Sequence, residues 1–196
     1  MGHVRKFGLW IAVLGILPAS ATTLEKLSLP EMAQKSTAVI RAKVVGAVGI
    51  LRGSDVYTVY KIEPADVWKS PAAGVPTEVA IPGGVAGGVR QPVEGAPALL
   101  QGHEYVFFLW TSKTGLTQLI GLSQGLFDVR TGEGSTQNVF RAPASERMLD
   151  AQGRPVADET VSMKLVDLKQ QVTRALATPL VNLQPVTAQL AKREAR

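Results

Sequence analysis

Between residues 36 and 46 the chain reads Ser-Thr-Ala-Val-Ile-Arg-Ala-Lys-Val-Val-Gly, with Ile40, Ala42 and Val44 alternating with Arg41 and Lys43. A period of two sends successive side chains to opposite faces, so the pattern predicts a strand with one buried face and one polar face. β-branched residues suit the pleated backbone, and Gly46 marks where the pairing is expected to bend or bulge. The stretch reads as the first long strand of a closed or nearly closed β-barrel.

Strands are expected to follow it at short intervals. Residues 56–62 and 65–68 form a second extended run with Pro64 between them. Val59 and Ile62 break strict alternation, which predicts a bulge or corner. Residues 77–81 are a shorter strand ended by Pro82, and residues 83–102, rich in Gly and Pro, read as a long loop. Residues 105–110, Tyr-Val-Phe-Phe-Leu-Trp, are apolar on both parities and suit a central strand covered on two faces. Residues 116–122, 125–130 and 138–141 complete the strands, with Gly132-Glu133-Gly134 turning between the last two.

Helices are expected at the two ends of this region. Residues 24–35 read as a lead-in helix. Ser28 and Glu31 have capping-box spacing, Leu27 and Met32 are placed as its hydrophobic staple, and Pro30 falls in the first turn. Residues 142–158 are loop-like. Val161, Leu165, Leu168, Val172 and Leu176 then form an apolar stripe without aromatics, predicting a helix that packs on the barrel rather than on a membrane. Pro179 ends it, and the polar stretch 179–196 reads as a flexible tail.

The first 21 residues read as a signal peptide. Arg5 and Lys6 precede an apolar run at residues 7–17, Pro18 breaks it, and Ala19-Ser20-Ala21 is a small-residue cleavage site. The run falls short of the roughly 20 apolar residues a spanning helix needs, so cleavage before Thr22 and no stable membrane insertion are expected. The chain has no cysteine, which excludes disulfides, lipidation at an N-terminal cysteine and thiolate chemistry. An exported domain of this size without disulfides points to a bacterial periplasmic or secreted protein. The division is therefore 1–21 signal peptide, 22–36 lead-in helix, 37–141 barrel, 142–178 loop and packing helix, and 179–196 tail. The formal charge of +5, which becomes +3 without Arg5 and Lys6, is a weak signal for polyanionic partners.

The run Val39-Ile40-Arg41-Ala42-Lys43-Val44-Val45-Gly46 resembles the first barrel strand of the tissue inhibitors of metalloproteinases, which belong to the netrin-like branch of the OB-fold. Tyr57-Thr58-Val59 with Ile62 resembles that family's next strand, and Gly121-Leu122 with Phe127 a later one. Pro82-Gly83-Gly84, Gly102-His103-Glu104 and Leu122-Ser123-Gln124-Gly125 also resemble uncharacterised exported bacterial domains. The resemblance spans residues 38–129 and implies a small OB-like barrel; with the short N-terminal helix and the amphipathic C-terminal helix read from the residues, the expected fold is mainly β. In the inhibitors the mature N-terminal amine and its neighbouring carbonyl chelate a protease zinc. The resemblance thus implies Thr22 as an inhibitory residue and a protease as partner. This chain departs from the family in lacking its disulfide-bonded first cysteine.

Candidate chemistry is sparse, and no catalytic residue, metal site or cofactor is expected. Gly121-Leu122-Ser123-Gln124-Gly125 fits the Gly-x-Ser-x-Gly nucleophile pattern, and a small hydrolase using Ser123 is the enzymatic alternative. That chemistry needs a helix after the serine and a histidine downstream. Residues 126–130 instead read as a strand, and His103 lies upstream. His103 and Glu104 are adjacent on a strand and point to opposite faces, so they make a poor ligand pair. The glycines at 83–88 lack the Lys-Ser/Thr end of a phosphate loop. Tyr57, Tyr60, Trp68 and Trp110, with Arg41, Lys43 and Lys61, could form a stacking groove for single strands. Export and low charge argue against it, and no nucleic acid is expected. The long loop remains the preferred contact for an unknown protein partner, with Val89 and Arg90 as its binding residues. The expected function is an exported, non-catalytic, protein-binding module.

Overall fold

A computed structural model describes residues 23–178. Residues 1–21, read above as a signal peptide, Thr22 and residues 179–196, read as a tail, lie outside the described residues. The fold is mainly β. Its elements are β1 (Thr23–Glu25), α1 (Leu29–Lys35), β2 (Ala38–Arg52), β3 (Asp55–Lys69), β4 (Glu78–Pro82), β5 (Gly84–Ala86), β6 (Val89–Gln91) and β7 (Glu104–Thr111). They continue as β8 (Thr117–Leu119), β9 (Leu126–Thr131), β10 (Gln137–Arg141), β11 (Arg147–Leu149), β12 (Pro155–Val156), β13 (Val161–Lys164) and α2 (Leu165–Ala177).

The main sheet runs β13-β10-β9-β7-β2-β3-β4. β2, β3 and β4 form an antiparallel meander, and β7 returns after a long connection to lie on the free side of β2. That spatial order is a Greek key. The far edge of β7 is shared: Tyr105 pairs with Asp128 of β9, and Leu109 with Leu119 of β8. β4 lies against β8 without a ladder between them, so among the described residues the hydrogen-bonded path is open.

Alternation along β2 and β7 feeds two cores. Ala38, Ile40, Ala42 and Val44 join Tyr105, Phe107 and Leu109 on one face, packed with Tyr60, Ile62, Val79 and Ile81 of β3 and β4. Val39, Val106 and Phe108 point the other way, into a second core completed by Phe127, Val139 and the two helices. The face of β2 expected to be polar is therefore half core. Arg41 shares that face with Val39, is only partly exposed, and donates from Nη1 to Gln137 Oε1 at 2.8 Å. Residues 105–109 are buried on both parities as expected, while Trp110 emerges at the end of β7 and is 45% exposed.

The bend at Gly46 is present. Val44 pairs with Ile62 and Gly46 with Lys61, leaving Val45 as the extra residue of a bulge. The irregularity anticipated between Val59 and Ile62 thus lies on the opposing strand. Pro64 does not divide β3; further register shifts between Val39 and Ile40 and between Arg41 and Ala42 carry the ladder past it.

α1 starts at Leu29, not at residue 24. Ser28 caps it reciprocally with Glu31: the Glu31 amide donates to Ser28 Oγ, and the Ser28 amide donates to Glu31 Oε2 at 2.8 Å. The Ser28 hydroxyl and amide hold the Glu31 carboxyl below its usual pKa. Residues 23–25 are drawn into β1 because β11 pairs with them in parallel. At the other end, the stripe from Val161 splits, because residues 161–164 pair with β10 and only then does α2 begin. Leu168, Val172 and Ala175 of α2 pack into the second core.

Lys169 Nζ pins α2 to the sheet through Asp66 at 2.7 Å, and the Trp68 indole donates to the same carboxylate at 2.9 Å. Burial acts to raise the Asp66 pKa, but the hydrogen bonds from Lys169 and Trp68 outweigh it and leave the value lowered. This contribution to stability is present above the carboxyl's unfolded pKa and is lost as pH falls through the lower folded value.

Ile40→Asp places a charge in the first core and is expected to cost several kcal/mol, on the order of a large core lesion. Lys43→Gln, at an exposed position of the same strand, is expected to stay within about 0.5 kcal/mol. Urea midpoints measure both. Equal losses would contradict the assignment of Ile40 to a packed face.

Candidate functional site

The connection from β4 to β7 is pinned along its length. The Gly83 amide donates to Val56 O at 2.7 Å, Thr58 Oγ1 to Gly83 O at 2.9 Å, and the Val56 amide to Gln91 Oε1 at 2.7 Å. Farther on, Leu99 is buried in the first core. The hydroxyl of Tyr60 accepts from the Leu99 amide at 3.3 Å and that of Tyr105 from the Leu100 amide at 3.1 Å. The loop packs on the first core and uses two core tyrosines as hydrogen-bond posts.

Inside the stretch expected to be loop, β5 and β6 form a two-stranded hairpin around Gly87 and Gly88, both with positive φ (54° and 77°). Two successive left-handed residues are what a type I′ hairpin turn requires, and glycine meets that demand at least cost. The hairpin lies on β2 and β3, so close that a Cβ at Gly49 would overlap the Val85 carbonyl.

Cross-strand register decides what this hairpin presents. Ala86 pairs with Val89, and Ala86 is buried. Val85 pairs with Arg90, and both are exposed, Val85 at 60%. The Arg90 guanidinium has no hydrogen bond or ion pair among the described residues. Of the two residues expected to bind a partner, Arg90 therefore stands on the outward face, beside Val85. Val89 belongs to the opposite face with Ala86, although it is still 48% exposed. Val85 was missed by sequence reasoning; the Gly-Gly turn signal and its implied pairing could have found it.

The Gly-x-Ser-x-Gly stretch is a 3-10 turn between β8 and β9. Gly121 begins it in the left-handed region, and Gly125 sits where a Cβ would press on the Phe108 and Ile120 carbonyls. The residue between Ser123 and Gly125 carries the packing. Gln124 is fully buried, its Oε1 accepting from the Leu27 amide at 2.9 Å and its Nε2 donating to Glu25 O at 3.0 Å. It fastens the segment before α1 to the sheet. Ser123 Oγ is buried without a hydrogen-bond partner, so no base touches it. Ser123 and Asp128 line the same cavity of about 250 Å³, with Tyr105 and Arg130, but His103 does not. Asp128 is held by Arg130 at 2.6 Å. His103 is exposed, its ring stacked on Tyr105 at 6.4 Å between centroids. No group of three or more His, Cys, Asp or Glu among the described residues is arranged to hold a metal ion. No described helix is long and apolar enough to cross a membrane.

Beside this turn lies a buried ion pair. Arg141 Nη2 donates to Asp158 Oδ1 at 2.9 Å, and Asp158 Oδ2 accepts from the Ala144 amide at 2.9 Å. The stretch 142–158, expected to be loop, is thereby fixed and carries β11 and β12.

No protein-family model matches the chain, and no curated protein matches it.

Gly49→Ala is expected to lift the hairpin, because backbone rather than a flexible side chain occupies the space a methyl would need. Overpacking of this kind costs about 1–3 kcal/mol. Amide exchange should accelerate across residues 84–91 and remain unchanged in β7. Unaltered exchange at the hairpin would show that it is not seated on β2.

Proposed function

We propose that this chain is an exported, non-catalytic binding module of the OB/netrin-like barrel type. It holds a protein partner on the outward face of the β5–β6 hairpin. The Greek-key order of β7-β2-β3-β4 supports the barrel reading, as does the approach of β4 to β8, where closure would occur. The export reading rests on Arg5, Lys6, the apolar run and the Ala19-Ser20-Ala21 site.

The observation that carries the binding proposal is the pairing of exposed Val85 with exposed, unpartnered Arg90 on a hairpin docked to the sheet. An apolar side chain beside a free guanidinium is the composition of an interface anchor. Because its backbone is already ordered, the hairpin loses little conformational freedom on association.

The test uses the tagged mature chain, beginning at Thr22, as bait in the envelope fraction of its native source. Val85→Ser with Arg90→Ser should leave the circular dichroism spectrum unchanged, since neither side chain is buried. The double variant should weaken capture of the partner about tenfold, the effect of losing about 1.4 kcal/mol at an anchor. Undiminished capture by a folded double variant would remove the hairpin from the binding surface.

A further inference from the structure

A second concave region lies on the other face of the sheet, where α2 starts. It has a volume of about 370 Å³, and its lining includes Arg41, Lys164, Lys169, Asp66 and Gln137. Three of these are cations, brought from β2, the end of β13 and α2. Such convergence is not needed to bury an apolar face. The helix-bearing side of β2 is core at Val39, and the same side presents a guanidinium two residues later.

The cations are unequally satisfied. Lys169 is committed to Asp66 at 2.7 Å. Arg41 donates from Nη1 to Gln137, its Nε lies 4.0 Å from Glu104 Oε2, and that Nε is buried with no hydrogen-bond partner. Lys164 is exposed, and its ammonium has no ion pair or hydrogen bond among the described residues. Leu165 and Val166 of the first turn of α2 complete one wall, and no side chain caps that turn. In the cavity lining three cations therefore stand against one carboxylate, Asp66; Glu104 reaches Arg41 from outside the lining, and Asp167 of the first turn of α2 is not part of it.

We propose that this cavity is a binding site for a compact oxyanion of the phosphate or sulfate class. Arg41 and Lys164 supply the charge, and Lys169 is shared between the anion and Asp66. A tetrahedral oxyanion has acceptors on every side, which matches donors arriving from three elements. A guanidinium held on a strand is pre-organised for it, while Lys164 acts as a point charge. The cavity exceeds the volume of the anion alone, so a phosphate ester with a small polar body also fits. Free anion and ester share the recognising chemistry.

The probe is inorganic phosphate, titrated into the isotopically labelled mature chain, with sodium chloride at matched ionic strength as the control. Phosphate should produce saturable amide shifts at residues 135–137 and 164–167, and chloride should not. Lys164→Gln is expected to weaken phosphate about threefold, a typical loss for an exposed charge. Asp66→Asn, which frees Lys169 from its carboxylate, should tighten it by a similar factor. A methyl phosphate arm separates the sources: equal or tighter binding than inorganic phosphate favours an ester as ligand, and weaker binding favours the free anion. Shifts that follow ionic strength alone, or that are identical in wild type and Lys164→Gln, would overturn the site.

Discussion

The burial of β2 and β7 on both faces is the constraint from which the rest of the structure follows. Their alternate residues enter separate cores, with Ile40 and Phe107 on one side and Val39 and Phe108 on the other. Each strand thus needs a cover on both sides. The meander through β3 and β4 supplies one cover, and α1 with α2 supplies the other. A strand buried on two faces tolerates charge only where a cover ends. Arg41 sits at such a place, beyond the first turn of α2, and the polar cavity there is a consequence of the helix starting at Leu165.

The connections of the sheet are secured by polar groups rather than by apolar area alone. The Tyr60 and Tyr105 hydroxyls hold the backbone at Leu99 and Leu100, so a long Gly- and Pro-rich connection becomes a fixed surface. Gln124 and the Arg141–Asp158 pair hold the segments that precede α1 and follow β10. Buried polar groups with specific partners cost stability when either partner is removed, which fixes one arrangement against near alternatives. The β5–β6 hairpin gains its definition from the bonds of Val56 and Thr58 to Gly83 and Gln91, and the proposed partner contact depends on that rigidity.

Much of this architecture could be read from the residues. Alternation at 38–44 and the double apolar parity at 105–109 gave both central strands, and Ser28 with Glu31 gave the capping box of α1, although the helix was expected to begin at residue 24 rather than at Leu29. What escaped was decided by pairing. Residues 23–25 and 161–164 carry helix-compatible sequence but became strands because β11 and β10 lie beside them, and tertiary context overrides weak local preference. The side of β2 read as polar was half buried, because the stripe that covers it lies more than a hundred residues later. At the candidate site Arg90 was legible as an exposed arginine in a turn-rich stretch. Its neighbour Val85 was not, because that juxtaposition depends on register across Gly87 and Gly88. Gln124 drew no notice inside a motif that directs attention to the serine, and its role rests on contacts to residues nearly a hundred positions away.

The dependence of the fold on its two doubly buried strands is tested most directly by native-state amide hydrogen exchange across a series of low urea concentrations. Amides of residues 39–44 in β2 and 105–109 in β7 should be the slowest in the chain and should exchange only by global unfolding, with the full urea dependence of the equilibrium transition. Those of α2 and of the β5–β6 hairpin should open in smaller units with weaker dependence. If α2 proves as slow as β2, or if β2 opens while α2 stays closed, the two strands are not the element on which both cores depend.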